Sequence, residues 1–320
     1  MKRAMFLAIA LLTLGPAAAQ TESYPSRAIR LVVPFAAGGG NDILARVISQ
    51  RLTERWGQPA LVENKPGAGG NIGAEFVARS APDGYTLLLA TNTVTIAPWL
   101  SAKTPFDVKQ DFAPVALLAA TPFALVVAPE FSVNTVAELV AYARANPGRL
   151  SYASVGVGTP HHLGMELFKS LTGTDLLHVP YKGSVPALTD IAANRAQAML
   201  VTINAAAPFI QGGRVRVLAV AERRRIAQMK DVPTVIEAGV ADFEVSAWYA
   251  LLAPAKTPEP VVRKLAAELT KLFAEPELRE RLAPVGFEMS PGTPEQLRAL
   301  IHADLEKWGR VVKAAGIKAE

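Results

Sequence analysis

The residues best suited to bind a ligand lie in a glycine-rich loop between a predicted strand and a predicted helix. Gly38, Gly39 and Gly40 separate the apolar segment IRLVVPF from a helical pattern that begins near Asn41. A helix N-terminus presents unpaired N–H groups with a partial positive charge, and glycine lets an anion approach the backbone closely. The loop therefore predicts a site for a carboxylate or a phosphate. A tight turn capped by Asn41 or Asp42 is the alternative.

A second loop of the same kind lies in the later half of the chain, in the segment SYASVGVGTPHHLG. Ser154 ends a predicted strand, and Thr159 is placed as the N-cap of a helix that begins at Pro160. Gly158 lets the backbone turn between them. Two helix N-termini that face each other across a cleft would hold a small anion between them, with Thr159 adding a hydroxyl.

The first glycine loop lacks the features of a nucleotide-binding loop. A dinucleotide fingerprint that begins with Gly38 and Gly40 requires glycine or alanine at position 43, which is occupied by Ile43. The sequence also has no Gly-Lys-Ser or Gly-Lys-Thr, as a phosphate-binding P-loop requires. We therefore predict no cofactor, and a secreted oxidoreductase is disfavoured.

Candidate catalytic and metal-binding residues surround the second loop, but they form no known motif. Ser154 lacks the G-x-S-x-G frame of a nucleophile elbow. His162 and Glu166 share a helix face next to His161, yet the sequence has no H-E-x-x-H and no cysteine. We predict a protein without enzyme activity and without a metal site. A secreted hydrolase or lyase that uses Ser154 and His162 is the alternative.

The first residues, MKRAMFLAIALLTLGPAAAQ, have the basic start, the apolar core and the small residues of a secretory signal. We predict that residues 1–19 are removed and that the mature protein is exported to the periplasm. The formal net charge of the 320-residue chain is +5, and removing Lys2 and Arg3 lowers it to +3. The basic run at residues 223–225 has no interleaved aromatic residues, so we predict no nucleic-acid partner.

Short apolar segments and helical patterns alternate in two series along the chain. The first series contains IRLVVPF, PALVEN and YTLLLAT, and the second contains FALVVA, LSYAS and QAMLVTI. This alternation predicts βαβ units with parallel strands, and about 300 mature residues are enough for two α/β lobes. A chain that leaves the first lobe, builds the second and returns makes two crossings, which suits a hinge that closes on a small ligand.

The last helix has a clear beginning and a clear apolar face. Thr293 is placed as its N-cap, Pro294 as its first residue and Gln296 as the partner in a capping box. An apolar stripe follows at helical spacing, formed by Leu297, Ile301, Leu305, Trp308 and Val312. We predict that this stripe packs into the core. A partner-binding face is the alternative.

Several blocks in one order and spacing resemble the Bug-type periplasmic solute-binding receptors of tripartite tricarboxylate transporters. They include YPSRAIRLVVPF, VENKPGAGGNIGAE, APDGYTLL, HVPYKGS, DVPTV, LLAPAKTP and WGRVVKAAGI. The resemblance implies a two-lobed periplasmic binding protein of the Venus-flytrap, type II-like kind. Each lobe would be a mainly parallel sheet flanked by helices, with a two-strand hinge between them. Lobe one would comprise residues 20–122 with 249–320, and lobe two the inserted residues 123–248.

The resemblance also implies the activity, the partners and the ligand-binding residues. Such a receptor is a monomer that captures a small organic carboxylate and presents it to the membrane permease subunits of the transporter. The family positions for ligand binding correspond here to Phe35, Ala37, Gly38, Gly39, Thr91, Thr93, Ser154, Gly158, Thr159, His162 and Thr202. A ligand sensor that feeds a membrane regulator is the alternative use of the same fold.

The chain departs from the family pattern at positions that bear on the ligand. Ala36 and Ala37 stand where two prolines are frequent, and Gly40 stands where serine is frequent. Val201 and Thr202 stand where an Asp-Asn pair is frequent. Without that aspartate an amino group loses a partner, so we do not expect an amino-acid ligand. A less polar far end of the pocket favours an aromatic or aliphatic carboxylate.

Overall fold

The computed structural model describes residues 24–100 and 103–314 of the chain. The signal segment predicted at residues 1–19 lies outside this part. Within the described residues, no helix is both long enough and apolar enough to cross a membrane.

The first part of the chain forms three parallel strands separated by helices. Its elements are β1 (Ile29–Val33), α1 (Gly40–Trp56), β2 (Ala60–Asn64), α2 (Asn71–Ala78), β3 (Thr86–Thr91) and α3 (Thr93–Leu100). Strand β1 pairs in parallel with β2 on one side and with β3 on the other. The strands predicted from IRLVVPF, PALVEN and YTLLLAT are therefore confirmed, together with the helix after the first glycine loop.

A long strand then carries the chain into a second series of the same kind. Its elements are β4 (Phe112–Val127), α4 (Val136–Ala145), β5 (Leu150–Ser154), α5 (Pro160–Thr172), β6 (Leu176–Pro180), α6 (Ser184–Ala192), β7 (Ala198–Thr202), α7 (Ile203–Gln211) and β8 (Arg216–Val220). Strand β5 pairs in parallel with β6 and β7. Strand β4 is longer than the predicted FALVVA, because its earlier half also pairs within the first sheet.

The chain returns through β9 (Ser246–Pro254), α8 (Glu259–Ala274), α9 (Pro276–Leu282), β10 (Glu288–Gly292) and α10 (Pro294–Ala314). In the described residues, ten strands form one curled sheet with the order β2-β1-β3-β9-β4-β7-β5-β6, and β8 and β10 also pair with β4. All pairs that involve β4 or β9 are antiparallel. The sheet is therefore mixed, with parallel strands toward its two ends.

Strand β4 divides this sheet into two lobes. Residues 112–122 of the strand pair with β9, whereas residues 123–127 pair with β7. A second crossing lies directly before β9, where the N–H of Val245 donates to the carbonyl of Ala221. We call the part built on β1 to β3, β9 and β10 lobe one, and the part built on β5 to β8 lobe two. The boundaries at residues 122 and 248 stay a prediction.

Helix α10 packs on both lobes. Thr293 Oγ1 accepts the N–H of Gln296 at 3.2 Å, and Gln296 Oε1 accepts the N–H of Thr293 at 2.8 Å, which confirms the capping box. All five residues of the predicted apolar stripe are buried. Leu297 to Leu305 pack among residues of β3 and β9 in lobe one, while Trp308 and Val312 join the core of lobe two. The stripe therefore packs into the core, as predicted.

Removing the cap of α10 is expected to lower the free energy of unfolding. The variant Thr293→Ala loses the hydroxyl that accepts the N–H of Gln296, and such losses cost about 0.5–2 kcal/mol. Urea unfolding measures the change. The control is Thr270→Ala, an exposed site within α8 where alanine is the better helix former. Equal stability of Thr293→Ala and the wild type would contradict the role of the cap.

Candidate functional site

A cavity lies between the two lobes, next to the hinge strands. Its volume is about 30 Å³, which is room for roughly two water molecules. The residues that line it are Phe35, Gly39, Gly40, Asn41, Thr91, Thr93, Val155, Pro160, His161, Ser184, Thr202, Ala247 and Tyr249. None of these lining residues is an aspartate, a glutamate, a lysine or an arginine.

Five helices of the described chain begin at the wall of this cavity. Gly40, Thr93, Pro160 and Ser184 are the first residues of α1, α3, α5 and α6, and Thr202 is the N-cap of α7. The first N–H groups of a helix have no acceptor within the helix and carry a partial positive charge. A wall built from several such termini favours an anion even without a lysine or an arginine.

A hydrogen-bond network holds the first glycine loop in place. Asp42 Oδ2 accepts the N–H of Gly38 at 2.9 Å and Nε of Arg46 at 2.8 Å. Asn64 Nδ2 donates to Asp42 Oδ1 and to the carbonyl of Phe35, both at 3.0 Å. Burial opposes the ionisation of Asp42, but the bonds from Arg46, Gly38 and Asn64 outweigh it and hold the pKa of this carboxyl below its usual value. Asp42 therefore fixes the shape of the loop.

Part of the predicted binding site lies at the cavity. Phe35, Gly39, Thr91, Thr93 and Thr202 all line its wall. The Oγ1 atoms of Thr91 and Thr93 are 3.1 Å apart, so one hydroxyl donates to the other. Thr91 ends β3, Thr93 begins α3, and Thr202 ends β7. Ligands of α/β proteins bind at such carboxyl ends of strands.

The other predicted residues do not line the cavity: Ala37 and Gly38 in lobe one, and Ser154, Gly158, Thr159 and His162 in lobe two. In lobe two their polar groups build the loop itself. Thr159 Oγ1 donates to the carbonyl of Gly156 at 2.7 Å and accepts the N–H of His162 at 3.4 Å, which makes it the N-cap of α5. In lobe one, the space beside Gly38 is filled by Val185 of α6, whose Cγ2 would lie 2.9 Å from an added Cβ.

Ser154 pairs with His178, which the sequence did not indicate as its partner. The hydroxyl lies 2.7 Å from Nε2 of His178 and accepts the N–H of Gly156 at 3.0 Å. The ring of His178 stacks on that of His162, with centroids 4.2 Å apart. Ser154 is fully buried and does not line the cavity, so the hydroxyl is not presented to a molecule bound there.

A buried pair packs against the start of α1, and one of its members, Tyr249, lines the cavity. Asn204 Nδ2 donates to the hydroxyl of Tyr249 at 2.9 Å. Burial raises the pKa of Tyr249 to about 12, so the hydroxyl stays protonated at neutral pH. A Cβ atom on Gly40 would lie 2.5 Å from Asn204 Oδ1 and closer still to the Tyr249 oxygen. Glycine at position 40 therefore leaves the space that this pair occupies.

His161, the neighbour of the predicted His162, lines the cavity. It is 8% exposed, and neither of its ring nitrogens has a hydrogen-bond partner among the described residues. Its ring packs edge to face against Phe123 of β4, with centroids 4.9 Å apart. Burial lowers the pKa of His161 to about 3, so the imidazole is neutral at pH 7. His161 therefore adds hydrogen-bonding capacity to the wall but no charge.

Acid is expected to destabilise the protein through His161. In the unfolded chain a histidine binds a proton near pH 6.5, whereas folded His161 does so near pH 3. As the pH falls below 6.5 the unfolded state gains protons first, so stability is lost progressively between pH 6.5 and pH 3. Between pH 7.5 and 5.0 this residue accounts for a loss of about 2 kcal/mol.

Unfolding free energies at these two pH values measure the effect. The variant His161→Leu is expected to lose about 2 kcal/mol less than the wild type on acidification. The control Thr270→Ala replaces an exposed residue that does not titrate, and it should lose as much as the wild type. His178, whose pKa burial lowers to about 4, contributes alike in all three proteins. An equal acid loss in His161→Leu and the wild type would contradict the prediction.

The two lobes touch each other at the rim of the cavity. The N–H of Ala36 in lobe one donates to the carbonyl of Lys182 in lobe two at 3.1 Å. Gly69 in lobe one lies against Val157 in lobe two, where a Cβ atom would collide with the backbone carbonyl. The structure therefore shows the lobes closed on the cavity.

Comparison with known protein families gives one match that spans most of the chain. The family model described as "Tripartite tricarboxylate transporter family receptor" matches residues 44–317. A protein from the tcbD-tcbE intergenic region of Pseudomonas sp. strain P51 is 38% identical over 307 residues, which cover 96% of this chain and 91% of that protein. Protein BugT of Bordetella pertussis is 34% identical over 315 residues, which cover 98% of this chain and 97% of BugT.

Solved structures with the same fold have comparable sequence identities. A protein of R. palustris solved with adipate has a TM-score of 0.90 and 36% identity, covering 92% of this chain and 99% of that one. The periplasmic binding protein BugD has a TM-score of 0.90 and 34% identity, covering 93% of this chain and 100% of BugD. MatC from Rhodopseudomonas palustris with bound malate has a TM-score of 0.87 and 34% identity, covering 90% of this chain and 100% of MatC. The fold described above is thus that of two-lobed periplasmic binding proteins.

Proposed function

Because the chain belongs to the family of tripartite tricarboxylate transporter receptors, we propose that it captures a small organic carboxylate in the cavity between its lobes. One observation supports this most strongly. Five helix N-termini meet at a cavity whose lining residues carry no charged side chain. Partial positive charges at a wall that carries no acidic side chain favour one negative group on the ligand. The adipate and malate bound by the similar R. palustris proteins are carboxylates as well.

The ligand carboxylate is held by neutral groups. Backbone N–H groups at the start of α1, one hydroxyl of the Thr91–Thr93 pair and the hydroxyl of Ser184 supply hydrogen-bond donors in lobe one and lobe two. Hydrogen bonds to a charged acceptor are stronger than neutral ones, and they strengthen further when closure excludes water. Closure of the lobes therefore supplies both burial and binding energy.

In the cell, the receptor works in the periplasm and delivers its ligand to the membrane permease subunits of a tripartite transporter. The predicted signal segment at residues 1–19 and the likeness to the periplasmic protein BugD support this location. Residues 20–122 with 249–320 form lobe one in this proposal, and residues 123–248 form lobe two. No catalytic step is included, because the Ser154 hydroxyl is buried away from the cavity.

A thermal-shift screen of the mature protein tests the proposed function. Mono-, di- and tricarboxylates, aromatic acids and amino acids are compared with their neutral amides. A ligand that binds only the folded state at 100 times its dissociation constant adds about 2.7 kcal/mol, which gives a clear shift. Shifts confined to acids are expected. Shifts from the amides alone, or none across the acids, would contradict the proposal.

A further inference from the structure

The wall of the cavity nearest the hinge carries a histidine with both hydrogen-bonding positions unused. His161 is the second residue of α5, lines the cavity and is 8% exposed, and its Nδ1 and Nε2 atoms have no partner among the described residues. A neutral imidazole offers one donor and one acceptor. Buried polar groups in folded proteins are almost always paired. The free nitrogens therefore indicate a partner that enters the cavity from outside.

A neighbouring buried side chain repeats this observation. Asn204 Oδ1 also has no hydrogen-bond partner among the described residues, although Asn204 Nδ2 donates to the lining residue Tyr249. Thr202, which pairs with Phe123 in the sheet, also lines the cavity. The unused polar atoms thus belong to residues that contact the hinge strands β4 and β9.

The residues that line the cavity exclude a positively charged partner for these atoms. No aspartate or glutamate lines the cavity, so an ammonium group would find no counter-ion. The pKa of His161 is lowered to about 3 by burial, so the ring is not a cation that demands an anion. An oxygen that accepts or donates one hydrogen bond suits a neutral imidazole best.

Resting on the proposed function, we propose that His161 is a specificity-determining residue that hydrogen-bonds a second oxygen group of the ligand, a hydroxyl, carbonyl or carboxyl. The substrates are then acids with a second polar group, not acids with an apolar tail. This differs from the less polar pocket expected from Val201 and Thr202. Val201 does not line the cavity but lies in the core of lobe two, so its apolar side chain says nothing about the ligand.

Matched acids that differ only at the far end test this proposal. The first set is butyrate, 4-hydroxybutyrate and succinate, and the second is hexanoate, 6-hydroxyhexanoate and adipate. Calorimetry on the mature wild type should show at least one hydroxyl- or carboxyl-ended acid binding about 10-fold more tightly than its methyl-ended counterpart, as one hydrogen bond provides. Whether the hydroxyl or the carboxyl member binds more tightly identifies the second group.

Variants of His161 assign this preference to the residue. His161→Leu should bind the methyl-ended and polar-ended acids within about 3-fold of each other, while the exposed-site control His302→Leu should keep the wild-type preference. His161→Gln, which retains a donor and an acceptor, should keep part of it and remains informative if the leucine variant does not fold.

The outcomes separate this inference from the proposed function. Methyl-ended acids that bind the wild type as tightly as polar-ended ones would overturn the inference alone. A preference that survives in His161→Leu would overturn it as well. If butyramide or hexanamide bound and none of the acids did, the proposed function and the inference would both be overturned.

Discussion

Replacing Gly69 with alanine is expected to weaken ligand binding about 10- to 100-fold by preventing full closure of the lobes. Gly69 of lobe one has a φ of 62°, and an added Cβ would collide with the carbonyl of Val157 in lobe two. The collision exists only when the lobes are closed, so it penalises the ligand-bound state more than the open one. Relieving it costs about 1–3 kcal/mol. Calorimetric affinity for the best acid of the screen measures the loss.

Gly57 provides a matched control for this variant. It has a φ of 64°, but no atom lies within 4 Å of its added Cβ. Both Gly57→Ala and Gly69→Ala carry the strain of a left-handed alanine, about 1–2 kcal/mol of stability. Only Gly69→Ala should lose affinity. Similar affinities of the two variants would show that the contact between Gly69 and Val157 does not limit closure.

Replacing Gly40 with alanine is expected to have the second large effect, on both stability and binding. The added Cβ would meet Asn204 Oδ1 at 2.5 Å and the Tyr249 hydroxyl closer still. Both partners are buried, so they move only by disturbing the core, which costs about 1–3 kcal/mol. Displacement of Tyr249, which lines the cavity, also reshapes the cavity wall, and affinity should fall about 10-fold or more.

The adjacent Gly39 is the control for this variant. Its φ of −80° is open to any residue, and the nearest atom to an added Cβ is Ser184 Oγ at 3.7 Å. The variant Gly39→Ala should change the free energy of unfolding by less than about 1 kcal/mol. Urea unfolding of both variants measures the two free energies of unfolding. A Gly40→Ala protein as stable as Gly39→Ala would contradict the packing described here.

Much of the fold follows from local sequence patterns. The apolar segment IRLVVPF forms β1, the capping box at Thr293 begins α10, and the stripe from Leu297 to Val312 is buried. The spacing of apolar residues and the residues that cap a helix are local properties of the chain, so a single sequence reveals them. The sharing of β4 between two lobes could not be predicted, because pairing with β9 and β7 depends on residues far apart in the chain.

The candidate site was predicted less completely, for geometric reasons. His161 and His162 are adjacent on α5, and successive helical residues point about 100° apart, so their order alone does not tell which one faces a cavity. The first lines the cavity, while the second stacks on His178. Tyr249 meets Asn204 from a strand 45 residues later. Only the folded sheet brings that pair to Gly40.

Mapping a bound acid onto the backbone amides by NMR tests directly whether the helix N-termini at the cavity hold the carboxylate. The mature protein, labelled with ¹⁵N and ²H, is titrated with the tightest-binding acid of the screen and with its amide. The acid is expected to shift most strongly the N–H signals of Gly39, Gly40 and Asn41 in lobe one and of His161 and Ser184 in lobe two. Largest shifts away from these helix N-termini, or equal shifts with the amide, would contradict it.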